Sequence, residues 1–380
     1  MRRATVVGAG VFGAWTAHAL TRRGWKITLV DHHGPANSRA SSGGETRIIR
    51  SGYGSLALYA RWAAESLVQW LDLEQRTGER LFVKTGTLFL GGESSWLSDT
   101  ASTLRSEQIP TEWLDPAELS RRFPQLRFPD ASGALLEPGA GALFARRAVQ
   151  CLVRSLVEDG VTFRRGGRRG QTGGRSGSDR GQTPGDFIRT NKDDAVIFAC
   201  GAWLPSLFPD LLGNLIFPTR QEVYFFGAPA GDTRFARPKL PAWVAFDEGI
   251  YGLPDLEHRG VKVAVDAHGP PADPECMDRI LDPASITGIR EILRRRLPAL
   301  ADAPLLESRV CQYENTSNGH FLIDRLPGHD RVWIAGGGSG HGFKHGPMVG
   351  RYVTDLIEGR VEPEACFRLA GRPPRSRSVY

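Results

Sequence analysis

Val6-Val7-Gly8-Ala9-Gly10-Val11-Phe12-Gly13 is the stretch that decides the fold of this 380-residue chain. The two valines predict the end of a buried strand, and the three glycines form a GxGxxG turn that opens a helix. Glycines at these positions let backbone N–H groups approach a ligand closely, and the N-terminus of a helix attracts phosphate. The stretch therefore predicts a dinucleotide-binding turn.

The residues after this turn complete a β-α-β unit. Residues 11–23 predict a helix, and Lys26-Ile27-Thr28-Leu29-Val30 predicts a second strand that ends at Asp31. An acidic residue about 20 positions after the glycines accepts hydrogen bonds from an adenosine ribose in such units. Its charge also disfavours the 2′-phosphate of NADP. The alternative is that Asp31 only stabilises a turn.

Three further segments suit the same ligand. A polar glycine loop, Ser41-Ser42-Gly43-Gly44-Glu45-Thr46-Arg47, follows Asp31. Two apolar strands run into glycine turns, the first at Gly201-Ala202-Trp203 and the second at Gly336-Gly337-Gly338-Ser339-Gly340-His341-Gly342-Phe343-Lys344. There is no second complete GxGxxG for a nicotinamide cofactor beside a flavin. These segments favour FAD, and a nicotinamide dehydrogenase is the alternative.

The composition is that of a chain able to bury a large core, with 41% hydrophobic residues and a mean hydropathy of −0.28. No apolar run approaches the roughly 18 residues that cross a bilayer. The first seven residues predict a strand and not a signal peptide. Five scattered cysteines without a CxxC pair favour reduced thiols. We expect a cytoplasmic protein with no membrane contact and no metal ion.

The positive charge is concentrated in one segment. The chain has a net charge of +6, and residues 164–185, which are rich in Gly, Ser and Thr, contain six arginines and Asp179. This composition predicts a flexible basic loop. An RNA-contacting arginine–glycine segment is the alternative, but the segment lacks the aromatic residues on which bases stack. We therefore expect no nucleic-acid partner.

The order of predicted elements indicates an α/β fold that is interrupted by a second domain. Helices are predicted at residues 56–77, 145–159 and 286–297, whereas residues 215–267 alternate strand-like runs with aromatic residues and prolines. We predict a discontinuous FAD-binding domain of residues 1–85, 143–215 and 310–380. A substrate domain with a mixed or antiparallel sheet takes residues 86–142 and 216–309.

Three blocks carry a family resemblance: Gly44-Glu45-Thr46-Arg47-Ile48-Ile49-Arg50, Cys311-Gln312-Tyr313 and Gly340-His341-Gly342-Phe343-Lys344. They resemble the monomeric sarcosine oxidase and N-methyltryptophan oxidase family, in the D-amino-acid-oxidase group of FAD enzymes. The similarity runs from Val6 to about Glu358. It implies a Rossmann-like, two-dinucleotide-binding-domain fold in a monomer. It also implies oxidation of the C–N bond of a small secondary, cyclic or primary amino acid, with O₂ reduced to hydrogen peroxide.

The resemblance and the glycine turns together identify the residues expected at the cofactor. Cys311 matches the family cysteine that bonds covalently to the flavin 8α-methyl carbon; the alternative is a small buried hydrophobic residue. The full set is Gly8, Gly10, Val11, Phe12, Gly13, Asp31, Ser41, Ser42, Thr46, Arg47, Gly201, Trp203, Cys311, Gly338, Gly340, His341, Gly342 and Lys344.

The resemblance also implies catalytic roles. Arg50 and Lys344 are expected to bind the substrate carboxylate, since Arg offers a bidentate fork and Lys a second charge. Lys262 matches a lysine that holds a water near flavin N5 and speeds the reaction with oxygen by stabilising developing negative charge. Arg47 is expected beside the flavin ring. Tyr313 and His341 are expected to line the substrate cavity. The alternatives are surface ion pairs and a solvent-facing edge lysine.

One position departs from the family. Asp266 stands four residues after Lys262, where the family commonly has a histidine, and His268 follows two residues later. A carboxylate there disfavours a second substrate carboxylate and favours a cationic amine. Two other functions stay open at this point. One is a flavin dehydrogenase that passes electrons to a quinone or carrier, and the other is an RNA-associated flavoprotein.

Overall fold

The structure, a computed structural model, describes residues 1–91, 95–166 and 183–372. Its strands are β1 (Arg3–Val7), β2 (Lys26–Asp31), β3 (Thr46–Ile49), β4 (Phe82–Lys84), β5 (Thr87–Gly91), β6 (Glu112–Leu114), β7 (Gly133–Glu137), β8 (Gly141–Phe144), β9 (Thr162–Arg165), β10 (Ala195–Phe198), β11 (Ile216–Phe226), β12 (Ala242–Ala245), β13 (Ile250–Leu253), β14 (Val261–Val265), β15 (Leu305–Thr316), β16 (Leu322–Arg325) and β17 (Val332–Gly336). Its helices are α1 (Val11–Arg22), α2 (Ala57–Thr77), α3 (Trp96–Ser106), α4 (Pro116–Arg122), α5 (Ala145–Glu158), α6 (Pro184–Thr190), α7 (Leu204–Leu207), α8 (Pro209–Leu212), α9 (Pro283–Arg296) and α10 (Gly346–Ile357).

The predicted β-α-β unit lies at the centre of a six-stranded sheet in the order β16-β17-β10-β1-β2-β9. All neighbours pair in parallel except the edge strand β16. The register between β1 and β2 runs from Arg3↔Lys26 to Val7↔Val30. The glycine turn after β1 and Asp31 at the end of β2 therefore emerge at the same carboxyl edge of the sheet. This confirms the predicted Rossmann-like arrangement.

Helices cover both faces of this sheet, as the near-continuous apolar strands require. Alternate residues of β1, β2, β10 and β17 form a buried apolar cluster with α1, α2, α5 and α10. The other residues of β10 and β17 pack with side chains of α6, α7 and α8. The sheet is consequently buried on both sides, and its carboxyl edge is where a ligand can bind.

The second predicted sheet is also confirmed. Eight strands pair in the order β15-β11-β14-β13-β12-β5-β7-β6, with β12 and β5 parallel and the other pairs antiparallel. A three-stranded sheet, β3-β8-β4, completes the described strands. Strand β15 crosses the predicted domain boundary at residue 310, and the division of the chain into the predicted ranges stays a prediction.

Most of the predicted basic loop lies outside the described residues, at residues 167–182. The two ends of the predicted range are regular structure: Arg164 and Arg165 belong to β9, and α6 begins at Pro184. Thr183 caps α6, where its hydroxyl accepts a hydrogen bond from the backbone N–H of Asp186. Within the described ranges, none of the helices has the length and apolar character needed to span a membrane.

Helix α10 crosses α1 at a glycine. A Cβ at Gly350 would lie 2.3 Å from the carbonyl oxygen of Trp15 and 2.4 Å from its carbonyl carbon. Trp15 itself is fully buried and meets Trp70 of α2 edge to face, with ring centroids 4.9 Å apart. The two backbones can approach this closely only without a side chain at residue 350.

We expect Gly350→Ala to lower the free energy of unfolding by about 1–3 kcal/mol, because α10 must move away from α1. Gly288→Ala is the matched control, since Gly288 lies exposed in α9 and an added Cβ there would meet no heavy atom within 4 Å. The control should raise stability by about 0.5–1 kcal/mol. Urea unfolding followed by tryptophan fluorescence measures both, and similar effects of the two substitutions would contradict the close helix crossing.

Candidate active site

A cavity of about 410 Å³ lies at the carboxyl edge of the six-stranded sheet. It is bounded by the turns after β1, β2 and β10. Half of the residues predicted to contact the cofactor line it: Gly8, Gly10, Val11, Phe12, Asp31, Ser41, Ser42, Gly201 and Trp203. The position is the one that parallel α/β sheets use for ligands.

Close backbone packing explains the glycines of the first turn. Gly8 has φ +105°, and a Cβ there would lie 2.3 Å from the carbonyl oxygen of Ala199. A Cβ at Gly13 would lie 1.8 Å from the carbonyl oxygen of Gly8. The N–H of Val11 donates to Ser42 Oγ at 3.0 Å, which links the polar glycine loop to the start of α1. Gly13 thus serves helix packing, while Gly8 and Gly10 border the cavity.

The side-chain carboxylate of Asp31 accepts hydrogen bonds from three backbone N–H groups. Its Oδ2 accepts from the N–H of Ala9 at 2.8 Å, and its Oδ1 accepts from the N–H groups of His33 and Gly34 at 2.9 and 2.7 Å. The carboxylate therefore stabilises the glycine turn and the loop after β2, as the structural alternative predicted. A carboxylate has about four acceptor positions, so a ribose contact from the same side chain stays a prediction.

A second group of predicted residues, Arg47, Lys262 and Cys311, lies next to the polar glycine loop. Lys262 Nζ donates to the carbonyl oxygen of Thr46 at 2.9 Å. Arg47 donates to the same oxygen through Nη1 at 2.8 Å, and to the carbonyl of Ser41 through Nη2, also at 2.8 Å. Arg47 Nη2 also lies 3.5 Å from Cys311 Sγ. Strands β3, β14 and β15 thus bring Arg47, Lys262 and Cys311 together.

Lys262 is only 2% exposed, so it is not a solvent-facing edge lysine. Burial lowers the pKa of Lys262 well below its usual range, and the neighbouring Arg47 lowers it further. Its ammonium lies 5.4 Å from the ring centroid of Tyr251, which helps to hold the charge. Proton loss from Lys262 is therefore easier than from an ordinary lysine.

The two cations predicted to bind the substrate carboxylate, Arg50 and Lys344, are also buried. Lys344 Nζ donates to Tyr53 Oη at 2.7 Å and to the carbonyl of His341 at 3.0 Å. The Arg50 guanidinium lies 4.6 Å from the ring centroid of Tyr53 and 4.9 Å from that of Phe246. Burial, followed by the charge of Arg50, lowers the pKa of Lys344. Neither cation is a surface ion-pair residue.

Asp266 links Tyr313 to these cations. The Tyr313 hydroxyl donates to Asp266 Oδ1 at 2.7 Å, and a Cβ at Gly340 would lie 2.8 Å from the Tyr313 ring. Burial raises the pKa of Asp266, while Tyr313, Arg50 and Lys344 act in the opposite direction. The residue that departs from the family pattern is thus electrostatically part of the same site.

His341 belongs to an aromatic cluster. Its Nε2 lies 3.0 Å from the carbonyl oxygen of Gly319, so this nitrogen carries the proton and donates, and its Nδ1 lies 3.2 Å from Tyr53 Oη. Its ring stacks on Phe321 with centroids 4.9 Å apart. Burial lowers the pKa of His341 well below its usual range, which keeps the ring neutral. A role in the substrate cavity stays a prediction.

The late glycine turn is closely packed and runs into a short 3-10 segment. A Cβ at Gly342 would lie 2.8 Å from the Cα of Gly338. A 3-10 turn, Phe343–His345, comes next, and α10 begins only at Gly346. Lys344 therefore belongs to the 3-10 turn that leads directly into α10.

Several residues that contact the predicted set were missed from sequence, among them Tyr53, Tyr251 and Glu314. Tyr53 bonds Lys344 and His341, Tyr251 lies beside Lys262, and Glu314 lines the cavity. Tyr53 and Glu314 lie next to resembling blocks, three residues after Arg50 and one after Tyr313. That proximity was the available signal. Tyr251 had none, because nothing in its own segment pairs it with Lys262.

The arrangement fits the FAD that the sequence predicts. Among the buried side-chain oxygens that have no hydrogen-bond partner in the described residues are Ser41 Oγ, Thr46 Oγ1 and Glu314 Oε2. These oxygens belong to the polar glycine loop, to β3 and to β15. A long ligand with many polar atoms would satisfy them. Within the described ranges no cluster of His, Cys, Asp and Glu could hold a metal ion.

Comparison with known proteins agrees with this geometry. Residues 3–356 match the family described as FAD dependent oxidoreductase. A monomeric sarcosine oxidase of Bacillus sp. is 30% identical over 98% of this chain and 97% of its own, and an N-methyl-L-tryptophan oxidase of Citrobacter koseri is 28% identical over 93% of this chain and 94% of its own. The fructosamine oxidase Amadoriase II of Aspergillus fumigatus shares the fold, with a TM-score of 0.76, 23% identity, and coverage of 97% of this chain and 89% of that one. The chain belongs to the family of FAD-dependent oxidoreductases.

Proposed function

We propose that this protein is an FAD-dependent oxidase that converts the C–N bond of a small amino acid to an imine and passes the electrons to O₂, releasing hydrogen peroxide. The observation that carries the proposal is the buried pair Arg50 and Lys344, on the same site as Lys262 and Cys311. The names of the relatives support it, since they are oxidases of sarcosine and N-methyltryptophan. The substrate is a secondary, cyclic or primary amino acid.

Arg50 and Lys344 bind the substrate carboxylate in this proposal. Both are about 5% exposed, and bringing two like charges out of water is costly unless an anion joins them. Tyr53 fixes their positions, because its hydroxyl accepts from Lys344 while its ring lies against Arg50. Asp266 accepts from Tyr313 on the same wall. We therefore expect a substrate without a second carboxylate near Asp266.

Bound FAD supplies the two-electron acceptor for amine oxidation and returns the electrons to O₂. The chain's own residues hold and orient it. The turns at Gly8 and Gly201 border its cavity, and Arg47 Nη2 lies 3.5 Å from the sulfur of Cys311. Cys311 bonds the cofactor covalently in this proposal. Lys262 provides the positive charge for oxygen reduction, which favours O₂ over a quinone or carrier.

The same proposal covers the location, the oligomeric state and the partners of the enzyme. It acts as a cytoplasmic monomer on small molecules and has no nucleic-acid partner. The support is compositional, namely reduced cysteines and a basic segment without aromatic residues. We therefore expect that deleting residues 167–182 leaves the rate of amine oxidation unchanged.

We expect Arg50→Gln to reduce kcat/KM for the best amino-acid substrate by about 10- to 100-fold, because a charge-assisted bond to its carboxylate is lost. The same variant should change kcat/KM much less for the corresponding amine without a carboxylate. Peroxide release under air measures both. Arg61→Gln, on the exposed face of α2 and paired with Glu107, is the control. Equal losses for the two substrates would remove Arg50 from the carboxylate site.

Lys262 should make the reaction with oxygen depend on pH. A lysine is cationic below its pKa, so the rate constant for flavin reoxidation should fall as pH rises. Because burial lowers the pKa of Lys262, this fall should come at a lower pH than the usual pKa of a lysine. Lys262→Met should slow reoxidation about 10²-fold or more and abolish the fall, with little change in flavin reduction by substrate. Stopped-flow absorbance measures the two half-reactions. Lys262→Arg, which keeps the charge at all accessible pH values, is the control. A similar slowing of both half-reactions by Lys262→Met would contradict the assignment.

The covalent bond has a direct test. After acid precipitation, the flavin absorbance should stay with the wild-type protein, and Cys311→Ser should release it to the supernatant. Cys276→Ser, at an exposed cysteine, is the control and should retain the flavin. Free flavin from the wild-type protein would show that Cys311 forms no such bond.

A further inference from the structure

Glu314 lies where two glycine turns meet at the cavity. It lines the cavity. A Cβ at Gly201 would lie 3.6 Å from its Oε2, one at Gly336 3.5 Å from the same oxygen, and one at Gly338 3.1 Å from its Oε1. The carboxyl group thus lies between the turn after β10 and the turn after β17, and a Cβ at Gly338 would crowd it.

Only part of this carboxyl group is bonded. The backbone N–H groups of Gly338 and Gly337 act to lower the pKa of this carboxyl group, whereas Oε2 is buried and has no partner among the described residues. Burial raises the pKa of Glu314 to about 7. A buried carboxyl oxygen without a hydrogen bond is costly, and such groups in folded proteins normally have a partner. Glu314 lines the cavity, so a ligand bound there is the candidate partner.

The position of Glu314 between the two ends of the cofactor site identifies that partner. Phosphate groups favour the N-terminus of α1, beside Val11. In the proposed function the ring end lies at Cys311, three residues before Glu314 on β15. The part of FAD that joins phosphate to ring is the ribityl chain, which carries hydroxyl groups, and a hydroxyl is a donor that a carboxyl oxygen accepts.

The geometry points to a role for Glu314 that sequence motifs do not assign: its Oε2 accepts a hydrogen bond from a ribityl hydroxyl of FAD and fixes the chain between phosphate and ring. The inference depends on the family's cofactor and not on the identity of the amine. Other acidic residues at the cavity have different partners. Asp31 is bonded to three backbone N–H groups, and Glu275 accepts from Trp203 Nε1 at 3.2 Å.

A thermodynamic cycle between protein and cofactor tests this contact. The full-length Cys311→Ala protein, in which FAD exchanges freely, is titrated with FAD and with its analogues lacking the 2′-, 3′- or 4′-hydroxyl of the ribityl chain. Flavin fluorescence gives Kd. We expect one analogue to bind about tenfold more weakly than FAD. Adding Glu314→Ala should weaken FAD binding by a similar factor and remove the discrimination against that analogue.

Glu314→Gln should keep part of the discrimination, because the amide oxygen still accepts a hydrogen bond. Glu362→Ala, at an exposed glutamate, is the control and should leave every Kd unchanged. Independent, additive losses from the analogue and from Glu314→Ala would overturn the contact, as would equal binding of all three analogues and FAD to the parent protein. The second outcome needs no variant of Glu314, so a folding defect cannot mask it. Since no amine or oxygen enters the measurement, its failure is separate from failure of the proposed oxidase activity.

Discussion

The approach of the Gly8 turn to the carbonyl oxygen of Ala199 is the constraint on which the rest of the site depends. It brings the ends of β1 and β10 into contact and lets α1 begin directly above the sheet edge. The cavity lies between these two turns and the loop after β2. A side chain at residue 8 would separate the two strand ends and displace the start of α1.

Charge is the second organising feature. Arg47, Arg50, Lys262 and Lys344 are drawn from three segments of the chain and converge on one buried region. Backbone carbonyls, the Tyr53 hydroxyl and nearby carboxyls stabilise them only in part, because hydrogen bonds to neutral groups do not replace the hydration of a cation. A site of this kind favours ligands that carry negative charge, and it disfavours the cationic form of its own lysines. The lowered pKa values of Lys262 and Lys344 have this common cause.

The elements that could be predicted from sequence are those fixed by local patterns. The first β-α-β unit, Asp31 at the end of β2, the buried helices and the second sheet all follow from glycine spacing and hydrophobic periodicity. The family resemblance also identified Arg47, Lys262 and Cys311. Arg47 contacts Cys311, and Arg47 and Lys262 both donate to the carbonyl oxygen of Thr46. What could not be predicted depends on contacts between distant segments. The bond from Lys344 to Tyr53 joins residues 291 positions apart, and the partner of His341 is a backbone carbonyl with no sequence signature.

Strand β15 presents different surroundings to the residues on its two faces. Cys311 and Tyr313 point to the cluster around Arg47 and Asp266, while Glu314, in alternate register, meets the cavity. Its long pairing with β11, from Gln221↔Cys311 to Pro218↔Glu314 and beyond, locks this alternation. A single inserted or deleted residue before Cys311 within the strand would exchange the two faces. The β11–β15 ladder therefore fixes which face of β15 carries the sulfur of Cys311 and which carries the carboxyl group of Glu314.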